Sequence, residues 1–188
     1  MHIHLINNRL GLEKGRFFHA KHLLRPLSGA LRYMKSDENN ILEITKCREI
    51  GRTCACYKVR KAARAVTKFY EELLRPIGLR ATQFSLLMAT RVLGPVTVVK
   101  LAQVMVMDRT TLTRNLQILE KQGLITIKPG YDRREREVNL TPAGMEVLTK
   151  AVPLWEEAQE RVRKGLGEER LQNLLGDLSE MISLARRK

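Results

Sequence analysis

Residues 98–141 constrain this chain more than any other stretch: VVKLAQVMVMDRTTLTRNLQILEKQGLITIKPGYDRREREVNLT. The spacing of apolar residues changes character within it. Val98–Met105 is short, apolar at Leu101 and Val104, and preceded by Thr97 as its cap. A few residues on, Leu112, Leu116 and Leu119 fall at i, i+4 and i+7, a single helical stripe. Asp108 can cap that helix, and Gly123 can supply its left-handed stop after Gln122. Leu124-Ile125-Thr126-Ile127 then alternates as a strand does, Pro129-Gly130 marks a turn, and Arg136-Glu137-Val138-Asn139-Leu140 alternates again. Two helices across a tight turn, followed by two short strands, predict a mainly α fold with a small β-hairpin wing: a winged helix-turn-helix over residues 76–141.

The second helix is apolar on one side only. Opposite the leucines lie Thr110, Arg114, Gln117 and Lys121, flanked by Arg109, Thr111 and Thr113. Arg, Gln and Thr read base edges, while Lys and Arg neutralise phosphate, so Lys121 is expected at the backbone rather than at a base. An isolated helix with such a face would be read as merely solvated. The short helix immediately before it weighs towards DNA. Tyr131-Asp132-Arg133-Arg134 forms the tip of the hairpin, and Arg136 follows it. Adjacent arginines suit a narrow, strongly negative minor groove. Asp132 is expected to hold the wing by pairing with an arginine rather than to touch DNA.

Together these residues resemble the MarR family of dimeric bacterial transcription regulators. The resemblance rests on Asp108-Arg109-Thr110-Thr111-Leu112-Thr113-Arg114-Asn115-Leu116, on Leu119-Glu120 with Gly123-Leu124, on Asp132-x-Arg134, and on Val138-x-Leu140-Thr141 with Gly144. It runs from about Cys47 to the C-terminus. It implies a homodimer, double-stranded DNA as partner, and repression by occlusion of a promoter. It also implies control by a small, often aromatic acid, with Tyr70 and Trp155 as candidate pocket residues and an arginine to meet the carboxylate. Cys56 stands where the organic-hydroperoxide sensors of the family carry their reactive cysteine, and Tyr70 follows at the spacing of one partner tyrosine. Ala81 occupies the position of another such tyrosine, and Arg60 the position four after Cys56. A thiol-based peroxide sensor is therefore the alternative regulatory reading. Arg60 or Lys61 would lower a nearby thiol pKa.

The flanking helices predict the dimer independently. Val59, Ala62, Ala63, Val66, Phe69, Tyr70, Leu73 and Leu74 form a stripe that stops at Pro76, and Thr82–Leu93 reads as a further helix apolar at Phe84, Leu87 and Met88. Thr141-Pro142 is a good cap and first-turn pair for a long helix expected to bend at Pro153. A last helix carries Leu171, Leu174, Leu175, Leu178, Met181, Ile182 and Ala185. Residues 47–75 and 142–188 thus read as a helical dimerisation region, with an intramolecular bundle of the same helices as the competing reading. Two-fold symmetry would set two recognition helices about one DNA turn apart on a pseudo-palindromic site.

The chain has 188 residues and a formal charge of +14. Residues 1–46 carry 8 Lys and Arg against 4 Asp and Glu, so +10 of the excess belongs to the rest. Such a balance suits a polyanion. It suits a non-specific architectural DNA binder equally, which salt-controlled specificity ratios would distinguish. No apolar run reaches the length of about 18 residues that suggests a membrane span. Three cysteines, Cys47, Cys54 and Cys56, give no disulfide framework, and the expected compartment is the reducing cytoplasm. The sequence carries no Gly-rich phosphate loop and no histidine after residue 46 to act as a base, so neither enzymatic activity nor a cofactor is expected. A winged helix used for protein contact would want a more apolar centre than Arg114 and Gln117 supply.

Residues 1–46 match nothing in the family and read as a disordered leader or a non-native extension, with Met34 a candidate start. The run Ser36-Asp37-Glu38-Asn39-Asn40 reads as a loop. His2, His4, His19 and His22 fit no strong ligand spacing, so no metal is expected there. An amphipathic helix within residues 17–33, adding phosphate or membrane contact, is the alternative.

Overall fold

The computed structural model describes residues 37–132 and 134–186. The chain divides into two units at Cys54 and Ala55.

The described part of the first unit is one helix, α1, Asp37–Thr53. Here the loop expected at 36–40 is corrected: residues 37–40 are helical and continuous with the rest of α1. The Lys46 ammonium pairs with the Glu49 carboxylate at 2.9 Å. Thr53 Oγ1 donates to the Glu49 carbonyl at 2.9 Å, and Cys54, where the helix has ended, donates its N–H to the Ile50 carbonyl at 2.8 Å. The four histidines and the expectation of a helix within 17–33 lie outside the described residues.

The second unit carries α2 (Ala55–Leu74), a 3-10 turn (Arg75–Ile77), α3 (Ala81–Leu93), β1 (Val96–Thr97), α4 (Val98–Met105), α5 (Arg109–Lys121), β2 (Ile125–Pro129), β3 (Arg136–Leu140), α6 (Pro142–Leu166) and α7 (Glu168–Arg186). The sheet is antiparallel with order β1-β3-β2. Val96 pairs with Val138 in β1–β3, and Ile125 with Leu140 in β2–β3. The hairpin expected from alternation is β2–β3. The third strand was not expected, because two residues are too short to show a period. Pro129 closes β2 at the edge of the sheet, where its missing N–H costs no ladder bond.

Each turn is held by the residue type found there. Asp108 Oδ1 accepts the Thr111 N–H at 2.8 Å and Thr97 Oγ1 accepts the Lys100 N–H at 3.2 Å, so both expected caps are made. At the other end of α5, Gly123 has φ +72°, Leu124 N–H donates to the Leu119 carbonyl at 3.0 Å and Gly123 N–H to the Glu120 carbonyl at 2.9 Å. This pair of bonds is a Schellman motif, which only a residue without Cβ adopts without strain. Thr141 locks the next corner: its Oγ1 accepts the Gly144 N–H at 3.0 Å and donates to the Gly123 carbonyl at 2.7 Å. Gly144 is required by proximity, since a Cβ there would stand 2.0 Å from the Leu124 carbonyl oxygen.

The core is that of the winged helix. Leu86, Leu87, Leu101, Leu112, Leu116, Leu119, Ile125 and Val138 are buried, as the stripe on α5 predicts. Each such side chain contributes about 1.5–3 kcal/mol on leaving water. Buried Gln83 satisfies its polar atoms across the fold: Oε1 accepts the Arg80 N–H at 2.9 Å and Nε2 donates to Gln122 Oε1 at 3.1 Å. Two apolar positions expected inward, Val104 and Met88, are instead exposed, because Leu101 with Ala102 and Leu86 with Leu87 already fill the facing space. Helix α6 runs unbroken through Pro153.

Outside that core the long helices keep their apolar faces in the open. On α2 only Leu74 is buried, and Val66 is 50% exposed. On α7 only Leu171 is buried, while Leu174, Leu175, Met181 and Ile182 are exposed.

Candidate nucleic-acid interface

Burying Leu112, Leu116 and Leu119 orients α5 and leaves Arg109, Thr110, Thr111, Thr113, Arg114, Gln117 and Lys121 all exposed. The geometry qualifies one of these donors, and its neighbour Asn115. Thr113 Oγ1 donates to the Arg109 carbonyl at 2.7 Å, which leaves the hydroxyl only acceptor capacity outwards. Asn115 Nδ2 is bound to the Thr111 carbonyl at 2.8 Å. Arg114, Gln117 and Lys121 have no partner among the described residues. The Asp108 carboxyl sits below its ordinary pKa, first through its side-chain hydrogen bond to Thr111 and then through the Thr111 backbone N–H. It is therefore an anion at the N-terminus of α5 at neutral pH, matched to the helix dipole.

Helix and wing share a groove. Arg109, Thr113 and Gln117 from α5, with Arg134 and Arg136 from the wing, line a cavity of about 340 Å³ together with Glu120 and Glu135. Glu120 was missed by sequence reasoning, although Leu119-Glu120 forms part of the family resemblance. Its Oε1 accepts the Ile127 N–H at 3.0 Å. That N–H belongs to the free edge of the sheet, so the carboxylate covers an edge donor and fixes the wing against α5.

The hairpin tip is closed by Gly130 N–H donating to the Glu135 carbonyl at 2.9 Å and Glu135 N–H to the Asp132 carbonyl at 2.8 Å. Asp132 Oδ1 accepts the Arg134 backbone N–H at 2.9 Å, an Asx turn that shapes the tip. Arg134 and Arg136 are exposed, and Arg133 lies outside the described residues. Tyr131, expected at the tip, is fully exposed there.

The candidate control residues separate into two places. Tyr70 and Trp155 line one cavity of about 230 Å³ with Val66, Phe84 and Ala81. Its lining holds no arginine, so the carboxylate partner expected beside these aromatics is not among the residues that form it. Tyr70 meets Phe69 edge to face at 5.5 Å between ring centres, and burial raises its phenol pKa. Cys56 is exposed near the start of α2, the helix that carries Tyr70 near its end. Fourteen residues of helix separate the two by about 21 Å along the axis, so they cannot meet within one chain. Among the described residues no cluster of His, Cys, Asp and Glu could hold a metal, and no helix is long and apolar enough to cross a membrane.

Comparison with known proteins agrees with this geometry. The MarR family profile matches residues 79–135. The HTH-type transcriptional regulator YwoH of Bacillus subtilis is 33% identical over 85 residues, a match spanning 45% of this chain and 62% of the relative. The organic hydroperoxide resistance transcriptional regulator of the same organism is 32% identical over 100 residues, covering 53% of this chain and 68% of that protein. Among solved structures, the Mycobacterium tuberculosis transcriptional regulator MosR in complex with DNA is 38% identical with a TM-score of 0.63, covering 71% of this chain and 98% of that one. The chain belongs to the MarR family of winged helix-turn-helix regulators.

Proposed function

We propose that this protein is a sequence-specific DNA-binding transcription regulator that acts as a homodimer, represses by occluding a promoter, and inserts α5 into the major groove. The observation that carries this is the shared groove: two arginines from the wing and Arg109, Thr113 and Gln117 from α5 face one space. These side chains are of the types that read base edges and neutralise phosphate, with the Glu120 and Glu135 carboxylates lying among them. The 38% identity to MosR, solved with DNA, supports the same reading. Arg109, Thr110, Thr111, Thr113, Arg114 and Gln117 lie nearest the bases, Lys121 meets phosphate, and Arg133, Arg134 and Arg136 reach minor groove and backbone. Asp132 stabilises the wing. The exposed apolar faces of α2 and α7 support the dimer, since each would be a solvation cost in a monomer.

Arg114→Ala is the direct test. It costs about 1–3 kcal/mol of operator binding if the guanidinium makes a bidentate base contact, and it relaxes base preference at that position. Unchanged affinity and preference in an electrophoretic titration contradicts the assignment.

Two control routes are consistent with the dimer. A flat aromatic ligand fits beside Tyr70 and Trp155, where α2, α3 and α6 meet, and shifting these helices alters the spacing of the two α5 helices. The second reading is oxidation of Cys56, favoured by its exposure and by the similarity to the hydroperoxide regulator. On that reading any tyrosine acting with Cys56 comes from the other protomer. DNA release by a stoichiometric organic peroxide, compared in Cys56→Ser and wild type, separates them: equal sensitivity removes Cys56.

A further inference from the structure

The last described residue of α7 reaches back to the helix-turn-helix. Arg186 Nη2 donates to the Gln103 carbonyl and lies 3.4 Å from the Val104 carbonyl. Both carbonyls belong to the final turn of α4, where helical partners run out and the dipole is negative. Arg186 also lines, with Val104, Val106, Met107 and Arg109, the cavity beside the turn that leads into α5. That turn is under strain. Val106 stands at φ +52°, the one described non-glycine residue at positive φ, and a β-branched side chain is poorly tolerated there. Its N–H donates to the Gln103 carbonyl at 3.3 Å, the same oxygen that takes the guanidinium, and the next N–H, Met107, donates to the Ala102 carbonyl at 3.0 Å.

We propose that Arg186 is a positioning residue: it caps α4 from the end of the C-terminal helix and thereby fixes the turn at Val106 and the entry angle of α5. The cap ties the helix whose exposed apolar face marks it for dimerisation to the element proposed to read DNA. Movement of α7 in the dimer is then felt at Val106 before it is felt at any base. Both contacts come from the one nitrogen Nη2, so a single charged amino group at the end of the side chain serves the two carbonyls. The operator arm of this inference rests on the proposed DNA binding; its structural arm does not.

The experiment uses the full chain as wild type, Arg186→Ala and Arg186→Lys. Amide hydrogen exchange is read at Val106 and Met107, with Leu112 and Leu116 as internal controls. Arg186→Ala is expected to speed exchange at Val106 and Met107 by about 5- to 10-fold, the scale of a lost charged cap, with the controls unchanged. Arg186→Lys restores part of the protection. On the selected operator the alanine variant binds about 5- to 10-fold more weakly, with an unchanged salt slope and an unchanged sedimentation coefficient. Unchanged exchange at Val106 and Met107 overturns the proposal whatever the DNA result. A salt slope lower by about one, with equal loss on random DNA, also overturns it, since Arg186 would then be a phosphate contact. Failure of wild type itself to prefer any sequence sinks the DNA reading but leaves the exchange result to decide the cap.

Discussion

At the scale of single residues, two positions next to α5 make opposite demands. Asp108 contributes as an anion. Its folded-state pKa is lowered, so its stabilisation is present above the ordinary carboxylate pKa and is lost as pH falls through the lowered value. Thermal unfolding of wild type and Asp108→Ala should therefore differ at neutral pH and converge in acid; a gap that persists in strong acid contradicts the capping role. Val106 contributes strain instead. Replacing it by glycine removes the steric cost of the left-handed conformation and, since Val106 is 59% exposed, little burial is lost. Val106→Gly is expected to raise stability by about 1 kcal/mol, read from the denaturant midpoint. The cap was legible in the sequence because an acidic residue before an apolar helical stripe is a local signal. The strain at Val106 was not, because φ there belongs to the left-handed end of α4 while valine itself argues for extended backbone.

At the scale of elements, the corner between α5, β2 and α6 is where function depends most on packing. Gly144 admits the Leu124 carbonyl oxygen against α6, and Gly144→Ala must move backbone, not a flexible side chain. The expected cost is about 1–3 kcal/mol or more in equilibrium unfolding, with weaker DNA binding following from the displaced α6. Glu120 sets the wing. Glu120→Gln keeps an acceptor for the Ile127 N–H and should bind DNA nearly as wild type, whereas Glu120→Ala frees the wing. Hydroxyl-radical footprinting would then show lost minor-groove protection with major-groove protection retained; loss of both contradicts a wing-specific role. The helices and the hairpin were readable from period and turn chemistry alone. β1 was too short to show a period, and Glu120 looked like any solvated acid, since its partner is a backbone N–H seven residues away.

At the scale of the whole molecule, the apolar faces that α2 and α7 leave exposed are the surface proposed for the dimer. Val66→Glu places a charge at the centre of the α2 stripe and should leave the winged-helix core folded while shifting sedimentation from dimer to monomer. An unchanged dimer would move the interface elsewhere. The apolar stripes were legible, but their meaning was not: a stripe of the same period serves an intramolecular bundle equally well, and it is their exposure that favours the proposed dimer. In the proposed dimer, two α5 helices related by a two-fold axis would read two copies of one half-site. Selection from a random duplex library with the full chain tests this most directly. Enrichment of an inverted repeat is expected, with half-site centres about 10–10.5 base pairs, or one further turn, apart. Enrichment of a single half-site, or binding with no sequence preference at moderate salt, would contradict it.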